Sequence, residues 1–103
     1  MIRVPSGIYT TATRVLANIL KGILFNVEAS IISKEKGLSI GKRAIEDHFQ
    51  DMLRLSRDYI QREFGYVGEL PEAEIRRLEK QRDDYIEDFR KILEDADRLN
   101  AAS

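Results

Sequence analysis

The residues best suited to metal binding or acid–base chemistry lie in one short stretch. His48 is the only histidine, and Glu46, Asp47 and Asp51 are its acidic neighbours. Di-iron helical bundles need a glutamate three residues before a histidine, so that both ligands share one helix face. The residue in that position is Ile45, so the spacing fails. The pattern predicts no metal site and an ordinary surface histidine.

Other motifs for catalysis or nucleotide binding are missing from the sequence. Paired acids such as Asp83 and Asp84 are adjacent, and adjacent side chains on a helix do not converge on one point. The stretch from Gly37 to Lys42 resembles a phosphate loop faintly, but no Ser or Thr follows the lysine. The chain has no cysteine, which excludes thiol catalysis and disulfides. We therefore expect no enzyme activity and no cofactor.

Two groups of basic residues are candidates for contact with phosphates or with an acidic protein. They are Lys34, Lys36, Lys42 and Arg43, and then Arg54, Arg57 and Arg62. The net charge of −1 argues against a general nucleic-acid binder, which carries a clear positive excess. Acidic residues lie among both groups, so we interpret them as solvated surface.

Prolines and glycines divide the chain into three helical stretches. They are Pro5, Pro71, Gly37 with Gly41, and Gly65 with Gly68. We predict an all-α chain with helices at about 8–34, 40–64 and 71–99. A length of 103 residues allows one domain, which we place at 1–103.

The first predicted helix has one broad apolar stripe and two apolar residues on its polar side. The stripe follows from steps of three and four residues at Leu16, Ile19, Leu20, Ile23, Leu24, Val27 and Ile31. Phe25 and Ile32 fall on the opposite side. Gly37 is predicted to end this helix, and Ser39 to cap the next one.

The third predicted helix carries a seam of apolar residues at alternating steps of three and four. The seam is Ile75, Leu78, Arg82, Tyr85, Phe89, Ile92, Ala96 and Leu99. Arg82 is its only charged member. Either it pairs with Asp47, Asp51 or Asp58 on the second helix, or its stem packs while its head reaches water; we favour the second.

The short connection from Gly65 to Leu70 predicts that the second and third helices form an antiparallel hairpin. Each helix would be roughly 37 Å long at 1.5 Å rise per residue. The fold should therefore be elongated, with the apolar N-terminal helix packed on its own hairpin or on that of a neighbour. In either arrangement some apolar surface remains for association.

The residues predicted to take part in protein contacts follow from this surplus of apolar surface. They are Phe25, Ile32, Leu16, Ile19, Ile23, Val27, Tyr66, Val67 and Arg82. Tyr66 and Val67 lie in the connecting loop, where they either cap the end of the bundle or bind a partner. Phe25 and Ile32 would be isolated surface residues if the bundle is closed and alone.

The N-terminal segment does not have the pattern of a signal peptide, because a Pro-Ser-Gly turn stands where an apolar core is needed. The most apolar stretch, from Val15 to Val27, is interrupted by polar residues, and a membrane span needs roughly 20 apolar residues. We expect a soluble protein, within the cell or within a particle.

The leading hypothesis is a structural or adaptor protein that acts by helix packing in a homo-oligomer or a larger assembly. One concrete form is a small component of a virus or phage particle. The first alternative is a peripheral membrane protein that lays its N-terminal helix in the lipid interface. The second is an acidic small subunit of a nucleic-acid-associated complex, whose binding would weaken steeply with salt.

Overall fold

The computed structural model describes residues 4–65 and 68–102, with side chains as far as Ala96. In these ranges three α-helices follow a short 3₁₀ turn at Ser6–Tyr9, without any strand. The helices are α1 (Thr10–Glu28), α2 (Lys34–Phe64) and α3 (Glu72–Ala102). The predicted all-α class is therefore confirmed.

The molecule is a rod rather than a sphere. Its principal extents are 56 × 20 × 18 Å, and its radius of gyration is 16.5 Å. A compact domain of this length would have a radius of gyration of about 13 Å. The elongated shape expected from two long helices is confirmed.

The first helix ends six residues earlier than predicted, because the chain turns at Ser30. Ser30 has φ of 59°, in the left-handed region that glycine usually occupies at a helix end. The amide of Ser30 donates to the Val27 carbonyl over 3.0 Å, and that of Ile31 to the Asn26 carbonyl over 2.8 Å. These two hydrogen bonds form a Schellman motif, which satisfies carbonyls at the end of α1.

The second helix accordingly begins at Lys34 rather than at about residue 40. Ser33, and not Ser39, is its N-cap: the Ser33 hydroxyl accepts a hydrogen bond of 3.1 Å from the amide of Lys36. Gly37 was expected to end the first helix, but it lies inside α2 and is buried there. A β-carbon at Gly37 would lie 2.6 Å from Val27 Cγ2, so the glycine allows α1 to approach α2 closely.

The second and third helices form the predicted antiparallel hairpin. Gly65 has φ of 66°, and its amide donates to the Gln61 carbonyl over 2.9 Å, which ends α2 as expected. Pro71 directly precedes α3, and its carbonyl accepts a hydrogen bond from the amide of Ile75 over 3.2 Å. The start of α3 therefore agrees with the prediction to within one residue.

The core consists of two clusters that follow each other along the rod. Near the hairpin connection lie Val4, Tyr9, Phe49, Met52, Leu53, Ile60, Leu70 and Leu78. Near the turn between α1 and α2 lie Leu16, Ile23, Val27, Ile45, Phe89 and Leu93. The first helix thus packs on its own hairpin, which is one of the two arrangements that the sequence left open.

The predicted seam of α3 departs from the structure at Ile92. Ile92 is 48% exposed, whereas Leu93 is buried between the helices. A straight α-helix has 3.6 residues per turn, so a seam spaced at 3.5 drifts around it. After Phe89 the buried side of α3 therefore continues through Leu93 and Ala96.

Among the helices of the described ranges, none is both long enough and apolar enough to cross a membrane.

Candidate protein-binding surface

Three of the residues predicted to make protein contacts lie in the core of the chain itself. Leu16, Ile23 and Val27 are buried against α2 and α3. Their side chains therefore hold α1 on the hairpin.

Phe25 and Ile32 were expected to point outward together, but only Phe25 does so. Phe25 is 66% exposed on the side of α1 that faces away from the bundle. Ile32 is half-buried and packs against the core cluster near the α1–α2 turn. The difference arises because α1 ends at Glu28, so Ile32 belongs to the turn and folds back over the core.

The structure describes Arg82 among the remaining candidates, but not the two loop residues. Tyr66 and Val67 lie outside the described residues. The Arg82 guanidinium lies 4.8 Å from the centre of the Phe49 ring, and its Nε lies 3.0 Å from an Asp83 oxygen. The head group of Arg82 therefore packs on α2 and pairs within its own helix, rather than with Asp47, Asp51 or Asp58.

His48 is buried, which corrects the expectation of a surface histidine. Its side chain lies beside the Tyr85 ring, with 6.1 Å between ring centroids. Its Nε2 atom has no hydrogen-bond partner among the described residues. Burial lowers the pKa of His48 below its usual 6.5, and the Asp51 carboxylate opposes that shift only in part. The sequence does contain this signal, since Ile45, His48 and Met52 recur at steps of three and four.

One exposed apolar surface lies along the shallow groove between α1 and α2. Val15 is 53% exposed, Ile19 is 44% exposed and Ile40 is 41% exposed. Val15 and Ile19 are one turn apart on α1, and both line the groove with Ala44 of α2. Ile40 lies one turn before Ala44. We call this surface the α1/α2 face: Ala12, Val15 and Ile19 of α1 with Ile40, Ala44, Asp47 and Asp51 of α2.

The α1 side of the α1/α2 face carries no charge. Arg14 lies instead in a groove with Arg77 of α3, and Lys21 lies in a groove with Asp88 of α3. Because both basic residues of α1 point toward α3, the α1 side of the face offers only apolar and small side chains. Ile19 is a candidate from the apolar stripe of α1, whereas the sequence pattern does not single out Val15 or Ile40.

The α2 side of the face has charges arranged by sign along the helix. Lys36 and Arg43 come first, and Asp47 and Asp51 follow, all at helical steps that place them on one side of α2. Arg54 and Asp58 continue on the same side, where Arg54 lies 3.9 Å from Asp58. Asp51 lies 3.7 Å from Arg54 on the same helix. The side chains of Lys36, Arg43 and Asp47 form no ion pair within residues 4–65 and 68–96.

The charges of α3 behave differently, because most of them are paired within the helix. Arg77 pairs with Glu74, Lys80 with Asp84, and Arg90 with both Glu87 and Glu94. Such exposed pairs at three- and four-residue steps add little stability, but they leave few charges of α3 unpaired. We therefore interpret the outer surface of α3 as a solvent-exposed face.

A buried polar group ties the N-terminal turn to both helices of the hairpin. The Tyr9 hydroxyl donates to Glu74 Oε1 over 2.8 Å and lies against the hydroxyl of Ser56. Ser56 also donates to the Met52 carbonyl over 2.8 Å. Burial, opposed by Ser56 and reinforced by the Glu74 carboxylate, raises the pKa of Tyr9 to about 12. We interpret this group as structural, since it fastens residues far apart in the chain.

Metal-binding geometry is missing from the part of the chain that the structure describes. There, no three residues of the types His, Cys, Asp and Glu come together in a group able to hold an ion.

Comparison with protein-family models, with curated proteins and with solved structures found no match to this chain.

Proposed function

We propose that this chain is a non-enzymatic structural or adaptor protein that binds other protein surfaces by helix packing, in a homo-oligomer or a larger assembly. The observation that carries the proposal is the exposure of Val15, Ile19 and Ile40 on the α1/α2 face. Each of these side chains is already about half covered within the chain, so covering the rest of one stabilises a complex by about 1 kcal/mol. A multi-copy particle component is one form of this function, and it stays a prediction.

The alternatives of membrane and nucleic-acid binding have less support. The widest apolar side of α1, with Leu16, Ile23 and Val27, packs on α2 and α3, so it is not free to enter a lipid interface. The basic residues Lys36 and Arg43 are followed on the same side of α2 by Asp47 and Asp51, which would repel a phosphate backbone.

Sedimentation velocity over a range of protein concentrations tests the proposal. We expect the wild-type mass to rise above 11.9 kDa as concentration approaches about 100 µM. Ile19→Lys, which places a charge on the α1/α2 face, should reduce association at least about tenfold. Circular dichroism should show unchanged helix content, because Ile19 is already partly exposed.

Ile92→Lys is the matched control for that variant. Ile92 is exposed to a similar extent, but it lies on α3, in the groove between α1 and α3. Its replacement should leave association unchanged. An equal loss from both variants would contradict the proposal, and a wild-type chain that stays monomeric at every concentration would contradict its homo-oligomeric form.

A further inference from the structure

We propose that the occupant of the α1/α2 face is a second copy of this chain, docked antiparallel about a twofold axis that crosses α2 near Ala44. This inference rests on the proposed function and names the partner. It is carried by the order of charges along α2, in which the basic residues Lys36 and Arg43 precede the acidic residues Asp47 and Asp51.

A twofold axis makes this order complementary to itself. Reversing α2 about a point near Ala44 brings Arg43 to within about 3 Å, along the helix axis, of the level of the second copy's Asp47, and Lys36 to within about 1.5 Å of the level of its Asp51. Each contact then occurs twice. At 1.5 Å rise per residue, Lys36 and Asp51 are about 22 Å apart along the helix, so the outer pairs bracket the apolar centre of the face.

A parallel arrangement would lose this complementarity. It would bring basic residues to the level of basic residues, and acidic residues to the level of acidic ones. Like charges placed opposite each other at an interface disfavour the complex and slow its formation. The charges along the α2 side of the face therefore favour the antiparallel arrangement.

The unmatched state of these charges within one chain supports the same conclusion. Lys36, Arg43 and Asp47 make no ion pair inside the part of the chain that the structure describes, whereas most outer charges of α3 are paired within that helix. Arg43 and Asp47 are thus available to a second copy without breaking an existing pair.

The apolar part of the face fits the same symmetry. Val15, Ile19 and Ala44 line the groove. Ile40 lies one turn before Ala44 on α2, on the side away from Asp47 and Asp51. The twofold operation therefore brings the Ile40 end of one copy to the Val15 end of the other. Ala44 is small, so the two α2 helices can approach closely at the axis, toward the shorter end of the 8–10 Å range of helix packing.

Charge reversal with complementation tests this arrangement. Arg43→Asp alone and Asp47→Arg alone each place like charges opposite each other at two contacts, so each should weaken self-association at least about tenfold. An equimolar mixture of the two variants should form a heterodimer about as tightly as wild type, because both contacts are then attractive again. Native mass spectrometry distinguishes this heterodimer from the two homodimers by mass.

Lys42→Asp is the control variant. Lys42 is next to Arg43 in the chain and exposed, but it points to another side of α2, and its replacement changes the net charge equally. It should leave self-association unchanged. Circular dichroism of every variant checks that the helices are intact.

Each outcome decides a different claim. Loss of association in both single variants, with recovery in their mixture, supports the twofold arrangement. Association that depends on Ile19 but not on Arg43 or Asp47, or that the mixture does not restore, overturns the arrangement and leaves the proposed function standing. A wild-type chain that never self-associates overturns a second copy as the occupant.

Discussion

The ring of Phe89 on α3 packs directly against Gly41 on α2, at the point where the two helices cross. A β-carbon at Gly41 would overlap the ring, and Phe89 is 3% exposed, so it has little room to move. This contact sets how closely α2 and α3 approach beside the core cluster that also holds α1. The α1/α2 face depends on it, because α1 packs across the same part of the hairpin.

Gly41→Ala should destabilise the protein by about 1–3 kcal/mol, since the added methyl group forces the buried ring aside. Urea unfolding followed by circular dichroism measures the change. Gly22→Ala is the matched control, because nothing lies within 4 Å of a β-carbon there. It should stabilise α1 by about 0.5–1 kcal/mol, since alanine favours the helix. Equal effects from the two variants would contradict this account of Gly41.

Tyr9→Phe should lower the free energy of unfolding by about 1–3 kcal/mol. It removes the hydroxyl that bonds to Glu74 and Ser56 in a partly buried site. Tyr59→Phe should change stability little, because Tyr59 is half-exposed and its hydroxyl makes no hydrogen bond in the described part of the chain. The same urea experiment compares the two, and an equal loss from both would show that the Tyr9 contacts contribute nothing.

Ser30→Gly should stabilise the protein by up to about 1 kcal/mol. Ser30 holds a left-handed backbone conformation that disfavours any residue with a β-carbon. Ser39→Gly is the control: Ser39 lies inside α2, where glycine costs helix stability, so this variant should be less stable than wild type. Thermal unfolding gives the sign of each change, and a loss of stability in Ser30→Gly would contradict the turn described at the end of α1.

The stability of the fold should fall as pH drops below about 6.5, because of His48. Its pKa is lowered in the folded chain, so the unfolded chain binds the proton more readily. The contribution is complete above the unfolded value of about 6.5 and is lost as pH falls through the lowered folded value. Urea unfolding at pH values from about 7 to 5 should show this slope, and His48→Gln should flatten it. An identical slope in the variant would exclude His48 as its source.

The sequence predicted the elements whose signals are local and strong. Gly65 and Pro71 marked the connection of the hairpin, and the spacing from Ile75 to Phe89 marked α3. It missed the turn at Ser30, because a serine in a left-handed conformation carries no signal that distinguishes it from a helical serine. Gly37, which looked like a helix end, serves instead to let α1 approach α2.

The candidate surface was harder to predict than the fold. Ile19 was identified from the apolar stripe of α1, but Ile40 was treated only as the start of a helix. Its exposure depends on how α1 lies across α2, which is a long-range property that periodicity within one helix does not contain. Phe25 was correctly expected to be exposed. The same expectation for Ile32 was wrong, because the predicted first helix extended past the turn to which Ile32 belongs.

Disulfide cross-linking of Ala44→Cys tests the central claim most directly, because the chain has no cysteine of its own. If two copies meet antiparallel near Ala44, mild oxidation should give a covalent dimer, since a disulfide needs Cα atoms no more than about 7 Å apart. Ser39→Cys, which lies five residues from the axis, should stay monomeric under the same conditions, because its two copies would be about 15 Å apart along the helix. Failure of Ala44→Cys to cross-link, or equal cross-linking of both variants, would contradict the twofold docking of two copies near Ala44.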